Sequence, residues 1–183
     1  MKRVDIVNAI YNAYDEDARL TKSRNGQLES ITTMRYIHAL LPEGAKVLEV
    51  GAGTGRYSVA LAREGYDVSA VELVERNLET LRENAKGLEN LSATQGDATN
   101  LGAFPDDAFD AVLALGPMYH LYAPEDWNRA LDEGFLKAPN TEKLKFALMW
   151  ANHDWLDIHP YTKGDEQKIL YPGRVTPETF DKI

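Results

Sequence analysis

The sequence predicts an α/β fold, a mostly parallel sheet with helices on both faces, preceded by an N-terminal helical cap and followed by an incomplete or atypical C-terminal part. From residue 44 onward, short apolar runs alternate with stretches of helical periodicity. The run "FDAVLAL" at 109–115 is apolar on both faces, as a central parallel strand must be. The connections between these runs are short, so successive strand, helix and strand units must cross over right-handedly onto one sheet.

The elements follow in order. Val4, Val7, Tyr11 and Tyr14 recur at helical spacing, as do Leu28, Ile31, Met34, Ile37 and Leu41, which predicts two amphipathic helices. Between them "DEDARLTKSRNG" reads as a charged link closing on an Asn25-Gly26 turn, and Pro42-Glu43-Gly44 ends the cap at residues 1–43. Residues 46–50 read as a strand, and 56–63 as a helix with Tyr57, Ala60 and Leu61 on one face and Gly65 as its stop. A second strand is expected at 67–72. A helix follows, carrying Val74, Leu78, Leu81 and Ala85 and ending at Gly87. A weaker strand is expected at 91–95, the fourth at 109–115, a helix at 123–132 and a fifth strand, "LKFALMW", at 144–150. The core is thus 44–133, and 134–183 is the atypical segment.

With 183 residues the chain is of single-domain size. A net charge of -9, from 29 acidic against 20 basic residues, gives no broad positive field for phosphates and disfavours nucleic acid as a partner. A small-molecule substrate is expected. Cysteine is absent, which excludes disulfides, thiolate metal sites and a cysteine nucleophile. The start "MKRVDIVNAIYNAYDED" has no uninterrupted apolar stretch, and no later run approaches a membrane span, so a cytoplasmic protein is expected.

The chemistry concentrates in "VLEVGAGTGRYSVALAREGYDVSAVEL". Gly51, Gly53 and Gly55 lie between the first strand and its helix, where free backbone N–H groups and the positive helix end would face a ligand. A dinucleotide-binding G-x-G-x-x-G loop requires glycine where this chain has Arg56, which disfavours a nicotinamide-dependent dehydrogenase. Glu72 ends the second strand twenty-one positions after Gly51, where a carboxylate can accept from both hydroxyls of a ribose. A loop with a ribose carboxylate implies an adenosine-type cofactor.

"VLEVGAGTG", "AVEL", "QGDATNL" and "FDAVLALGPMYHL", in that order, resemble the motif series of class I S-adenosylmethionine-dependent methyltransferases, over about residues 14–132. The resemblance implies a Rossmann-like core that binds S-adenosyl-L-methionine and transfers its methyl group to an unidentified small molecule. It further implies that Glu49, Gly51, Ala52, Gly53, Thr54 and Gly55 surround the methionine portion. Glu72 with Leu73 would hold the ribose, Asp97 with Ala98 would meet the adenine amino edge, and Leu115 with Gly116 would close the pocket. Methyl transfer from a sulfonium needs mainly position and a dry cavity, and a base only if the acceptor is protonated. "GPMYHLY" puts Tyr119, His120 and Tyr122 beyond the fourth strand, with His120 and Tyr119 as catalytic candidates. Tyr14, Arg19 and Tyr122 are the substrate-contact candidates, the first two on a segment that would cover the mouth of the site.

The last fifty residues depart from that series. They resemble an internal piece of proteins related to glycoside hydrolase family 99, joined near Glu133 and Gly134, as a chimeric or truncated chain would show. Such a piece is too short for a (β/α)₈ barrel, and its Asp154 and Asp157 define no sugar cleft. "HDWLDIH" has no ligand spacing typical of a metal site, and no metal is expected. A fifth strand left as an open edge would favour a homodimer. The competing expectation is a catalytically impaired cofactor-binding module.

Overall fold

The computed structural model describes residues 2–138 together with Thr162–Lys163 and Glu166–Gln167. The chain divides into two compact units, Met1–Met149 and Trp150–Ile183. In the second, Thr162–Lys163 pairs antiparallel with Glu166–Gln167. The strand expected at 144–150 and the acids Asp154 and Asp157 lie outside the described residues.

The sheet of the first unit runs β3-β2-β1-β4, entirely parallel, from β1 (Lys46–Val50), β2 (Asp67–Glu72), β3 (Leu91–Gln95) and β4 (Ala111–Leu113). β1 lies between β2 and β4, and its residues after Lys46 are all buried, because helices cover both faces. On one face Val47 and Leu113 pack with Leu20, Ile37, Leu41, Tyr57 and Leu61. On the other, Leu48, Val50 and Val112 pack with Val71 and Leu101, flanked by Phe104 and Phe109. Neighbours one apart along β1 therefore serve opposite faces, as the two-residue strand period requires.

α4 (Arg56–Arg63) joins β1 to β2 and ends before Gly65, whose φ of +95° stops it. α5 (Glu75–Asn84) joins β2 to β3 and buries Leu78 and Leu81 completely, as their helical spacing predicts. Each side chain of that size contributes roughly 1.5–3 kcal/mol on burial. β4 is shorter than the seven residues expected. Phe109 N donates to Lys137 O, outside the sheet, and beyond Leu113 the chain bends into a 3-10 turn at Pro117–His120. α6 (Pro124–Lys137) runs on past the expected end at 132.

The N-terminus differs from the sequence reading. It holds three helices, α1 (Arg3–Ala13), α2 (Glu16–Lys22) and α3 (Arg24–Leu40), and the expected Asn25-Gly26 turn is the first turn of α3. Ser23 caps α3 by accepting from Gly26 N at 3.0 Å. A Cβ on Gly26 would stand 2.3 Å from Arg19 O, so this glycine lets α2 and α3 approach and does not turn the chain. Among the described residues, no helix is long and apolar enough to cross a membrane.

Candidate functional site

All four strands point the same way, so the segments leaving their carboxyl ends share one edge of the sheet. These are the loop 51–55, residues 72–74, residues 96–98 and the turn after β4. Ligands of open α/β sheets bind at such an edge. α1 and α2 reach it from above. Arg76, on the first turn of α5, donates to Tyr11 O and Asn12 O. Arg56 donates to Asp17 O from Nε at 3.0 Å and meets the Asp17 carboxylate at 2.9 Å. Asn84 bridges Asp17 Oδ1 and Thr54 O, each at 3.0 Å.

Gly51, Gly53 and Gly55 all have positive φ, at +73°, +58° and +81°, which only glycine adopts without strain. The space each leaves is used by the protein itself. A Cβ on Gly51 would lie 2.8 Å from Pro117 Cδ, one on Gly53 3.4 Å from Glu16 Cγ, and one on Gly55 2.6 Å from Leu81 Cγ. The loop N–H groups are committed inward as well, contrary to the expectation that they face a ligand. Gly51 N and Ala52 N donate to Val71 O at 2.8 and 3.0 Å, Gly53 N to Glu72 Oε2 at 2.7 Å and Gly55 N to Ala52 O at 2.9 Å. A pyrophosphate would find no cradle in those four donors, which together with Arg56 argues against a dinucleotide.

What the edge presents instead is negative charge. Glu49 and Glu72 are both buried, and among the described residues neither pairs with a lysine, arginine or histidine. Burial pushes Glu49 up to about 7, against the hydrogen bond from Ser58 Oγ and with added repulsion from Glu72. Glu72 is also raised, chiefly by burial, although Val74 N at 2.9 Å and Gly53 N donate to it. Its two oxygens thus tie the glycine loop to the start of α5, and the Asn77 side chain donates to the same carboxylate. Thr54 Oγ1 and the Tyr119 hydroxyl are buried with no hydrogen-bond partner among the described residues.

Across from these groups, Tyr11 Oη lies 2.9 Å from His120 Nε2, with the rings edge to face at 5.3 Å. Burial, then nearby Arg3, lowers His120 below its usual 6.5, while burial and Glu16 raise Tyr11 to about 12. One hydrogen bond thus joins a neutral phenol to an imidazole whose neutral form is favoured. Arg19 is drawn in but occupied, at 2.8 Å from Glu16 and 2.6 Å from Glu29. Burial depresses its pKa, but those two carboxylates more than offset this, so it stays charged. Tyr119 is raised to about 12, mainly by burial. Tyr14 and Tyr122 are exposed, at 46% and 60%.

The remaining expected positions fall on the same edge. Asp97 accepts from Thr99 N and Thr99 Oγ1, each at 3.0 Å, and from the Arg3 guanidinium. Ala98 is buried against Leu48 and Val50. Leu73 O accepts from Gln95 Nε2 at 3.3 Å, Leu115 packs beside Leu113, and Gly116 precedes the 3-10 turn. The sequence reading missed Tyr11, Glu16 and Arg3, because helical spacing marked Tyr11 only as apolar and nothing marked the two charged residues.

Residues 47–135 match the family described as methyltransferase domain. A demethylmenaquinone methyltransferase of Clavibacter sepedonicus is 34% identical over 124 residues, 68% of this chain and 48% of that protein. An S-adenosyl-L-methionine-dependent Diels-Alderase of Talaromyces variabilis is 26% identical over 89 residues, 46% of this chain and 30% of that one. The solved structure of a SAM-dependent methyltransferase from Methanosarcina mazei superposes with a TM-score of 0.51 at 25% identity, over 55% of this chain and 50% of the other. The chain spans less than half the length of these two curated relatives. The match to the methyltransferase family thus runs from β1 into α6, the part of the chain that carries the glycine loop, both buried carboxylates and His120.

Proposed function

We propose that the chain binds S-adenosyl-L-methionine at this edge and directs its methyl group to a small-molecule acceptor. The carrying observation is the pair of buried carboxylates, Glu49 and Glu72, that no cationic side chain among the described residues neutralises. Burying such charge is costly unless a partner arrives, and a ligand with ammonium and sulfonium groups supplies one. The Thr54 hydroxyl, buried without a hydrogen-bond partner among the described residues, fits the same ligand. Glu49 would face the ammonium, and Glu72 with Leu73 the ribose hydroxyls. Asp97 and Ala98 would face the adenine, and the loop 51–55 with Leu115 and Gly116 would enclose the methionine chain. The cofactor supplies an electrophilic methyl whose leaving group departs neutral.

The chain's own work is to position the acceptor, exclude water and take its proton where it has one. A neutral His120 has that capacity. The Tyr11 hydroxyl, hydrogen-bonded to Nε2, would hold the imidazole in place for that role. Tyr119, with its unpartnered hydroxyl, is the other candidate contact on this side. Tyr14, Arg19 and Tyr122 remain substrate-contact proposals.

Calorimetric titration with S-adenosyl-L-methionine tests the reading. Wild type should bind, and Glu72→Ala should bind about a hundredfold more weakly, since hydrogen bonds to a charged group are each worth about 1.5–3 kcal/mol. Equal binding by both proteins would overturn it. Turnover is then read on an acceptor panel that includes demethylmenaquinone, which the name of the Clavibacter relative suggests.

A second reading is favoured by the Talaromyces relative, named for a cycloaddition and not for methyl transfer. In it the chain binds the cofactor without spending its methyl group, and binding without turnover on any acceptor would select it. A homodimer through the sheet edge beyond β4 and a cytoplasmic location belong to the same proposal. Light scattering showing a monomer at high concentration would remove the dimer.

A further inference from the structure

We infer that Arg3, on the first turn of α1, is a positioning residue for the adenine end of the cofactor site. It fixes the carboxylate of Asp97 so that one acceptor position is left for an exocyclic amino group. This rests on the S-adenosylmethionine reading above and extends it to the base the site selects.

An ionised carboxylate offers about four lone-pair positions. On Asp97, Thr99 N and Thr99 Oγ1 fill two on Oδ1 and the Arg3 guanidinium fills one on Oδ2. About one remains. With both oxygens held from different elements, the carboxylate cannot rotate to offer another face. Arg3 is itself steadied by Asp126 on the first turn of α6, at 3.9 Å, and the pair is partly shielded, with 17% and 23% of the two side chains exposed. Gly96 N donates to Glu72 O at 3.0 Å, so Asp97 stands next to the strand end that carries the proposed ribose carboxylate. Arg3 and Asp97 are 94 positions apart, and their pairing makes α1 part of the wall of the site.

A strap that merely docks α1 and a residue that orients Asp97 differ in one consequence. Only the second affects the choice between an amino group and a carbonyl at the same place on the base. An adenine N–H meets the free lone pair, whereas the carbonyl of hypoxanthine sets acceptor against acceptor and leaves buried polar groups unpaired.

The test is calorimetric titration of the full chain, as wild type, Arg3→Met and Arg3→Lys, with S-adenosylhomocysteine and S-inosylhomocysteine. Wild type should prefer the adenosyl compound about tenfold or more, a modest fraction of what fully buried hydrogen-bonding sites achieve. Arg3→Met should bring that ratio toward one, and Arg3→Lys, which keeps the charge but loses the planar fork, should fall between. An unchanged ratio in Arg3→Met overturns the inference while leaving the cofactor reading intact. Wild type binding neither compound overturns the reading and the inference together. If a melt shows Arg3→Met unfolded, Arg3→Lys decides alone, and a wild-type ratio in it refutes the role.

Discussion

At the ends of β1 and β2 the site is made of backbone and carboxylates belonging to neighbouring strand–turn–helix units, with Gly53 and Glu72 meeting across only 19 positions. On the side facing α1 and the turn after β4 it is made of side chains that meet across 94 and 109 positions, Arg3 with Asp97 and Tyr11 with His120. The first region is held by backbone hydrogen bonds to Val71 O and the Glu72 carboxylate, along a course that positive φ at three glycines makes accessible. The second is held by pairs that exist only once α1 and α2 have docked. Binding of the methionine and ribose portions should therefore depend on the first region, whereas adenine selection through Arg3 and Asp97 and acceptor chemistry through Tyr11 and His120 should depend on the second as well.

The largest effect expected is on the dihedral side. Gly55→Ala places a Cβ at positive φ and 2.6 Å from Leu81 Cγ, and should cost about 4 kcal/mol of stability from backbone strain and overpacking together. Gly65→Ala has similar strain but open space around it, and should cost only about 1 kcal/mol. Denaturant titration of both checks this, and equal losses would mean that packing against α5 is not what the loop requires.

Next comes the pH dependence of Glu49. Folded, it holds its proton up to about 7, whereas the unfolded chain releases it near 4.5. Between those values the unfolded state binds fewer protons, so stability falls as pH rises through this window. Glu49→Gln cannot titrate. Above pH 7 it should be more stable than wild type by on the order of 3 kcal/mol, and the difference should vanish near pH 4. A pH-independent difference in melting temperature would show that Glu49 is not held protonated.

The smaller effects lie on the side-chain region. His120→Ala should lower turnover about a hundredfold with cofactor affinity kept. In wild type the acid limb of the rate profile should fall below pH 6.5, because burial and Arg3 disfavour the imidazolium. Tyr11→Phe should cost about tenfold in turnover and leave the cofactor titration unchanged, as loss of one neutral hydrogen bond would. If either variant lost cofactor binding instead, the division between the two regions would fail.

The same division governs what the sequence discloses. The strands 46–50, 67–72 and 91–95 and the stripe of Leu78 and Leu81 follow from local period and were all expected. The glycines and Glu72 were expected for the same reason, since their spacing is their geometry. Residues 15–26 looked like a link because they are charged, yet most of them are helical. Their charges are satisfied by Arg19 with Glu16 and Glu29, Lys22 with Asp15, and Arg56 with Asp17. Glu16 stands at helical spacing from Arg19, but Glu29 and Arg56 lie on other helices, where no sequence period reaches. Nor does spacing reveal that four loop N–H groups turn inward, because that depends on where Val71 O and the Glu72 carboxylate come to rest.

Keeping Glu49 dry beside Ser58 also bears on how long the molecule survives. A protein whose interior holds an acid without its counter-ion is weakest when no ligand is present. A ligand at a hundred times its dissociation constant adds about 2.7 kcal/mol to the folded state. Proteases act on the unfolded fraction, so the amount of this chain in a cell should rise and fall with the supply of the compound that fills it.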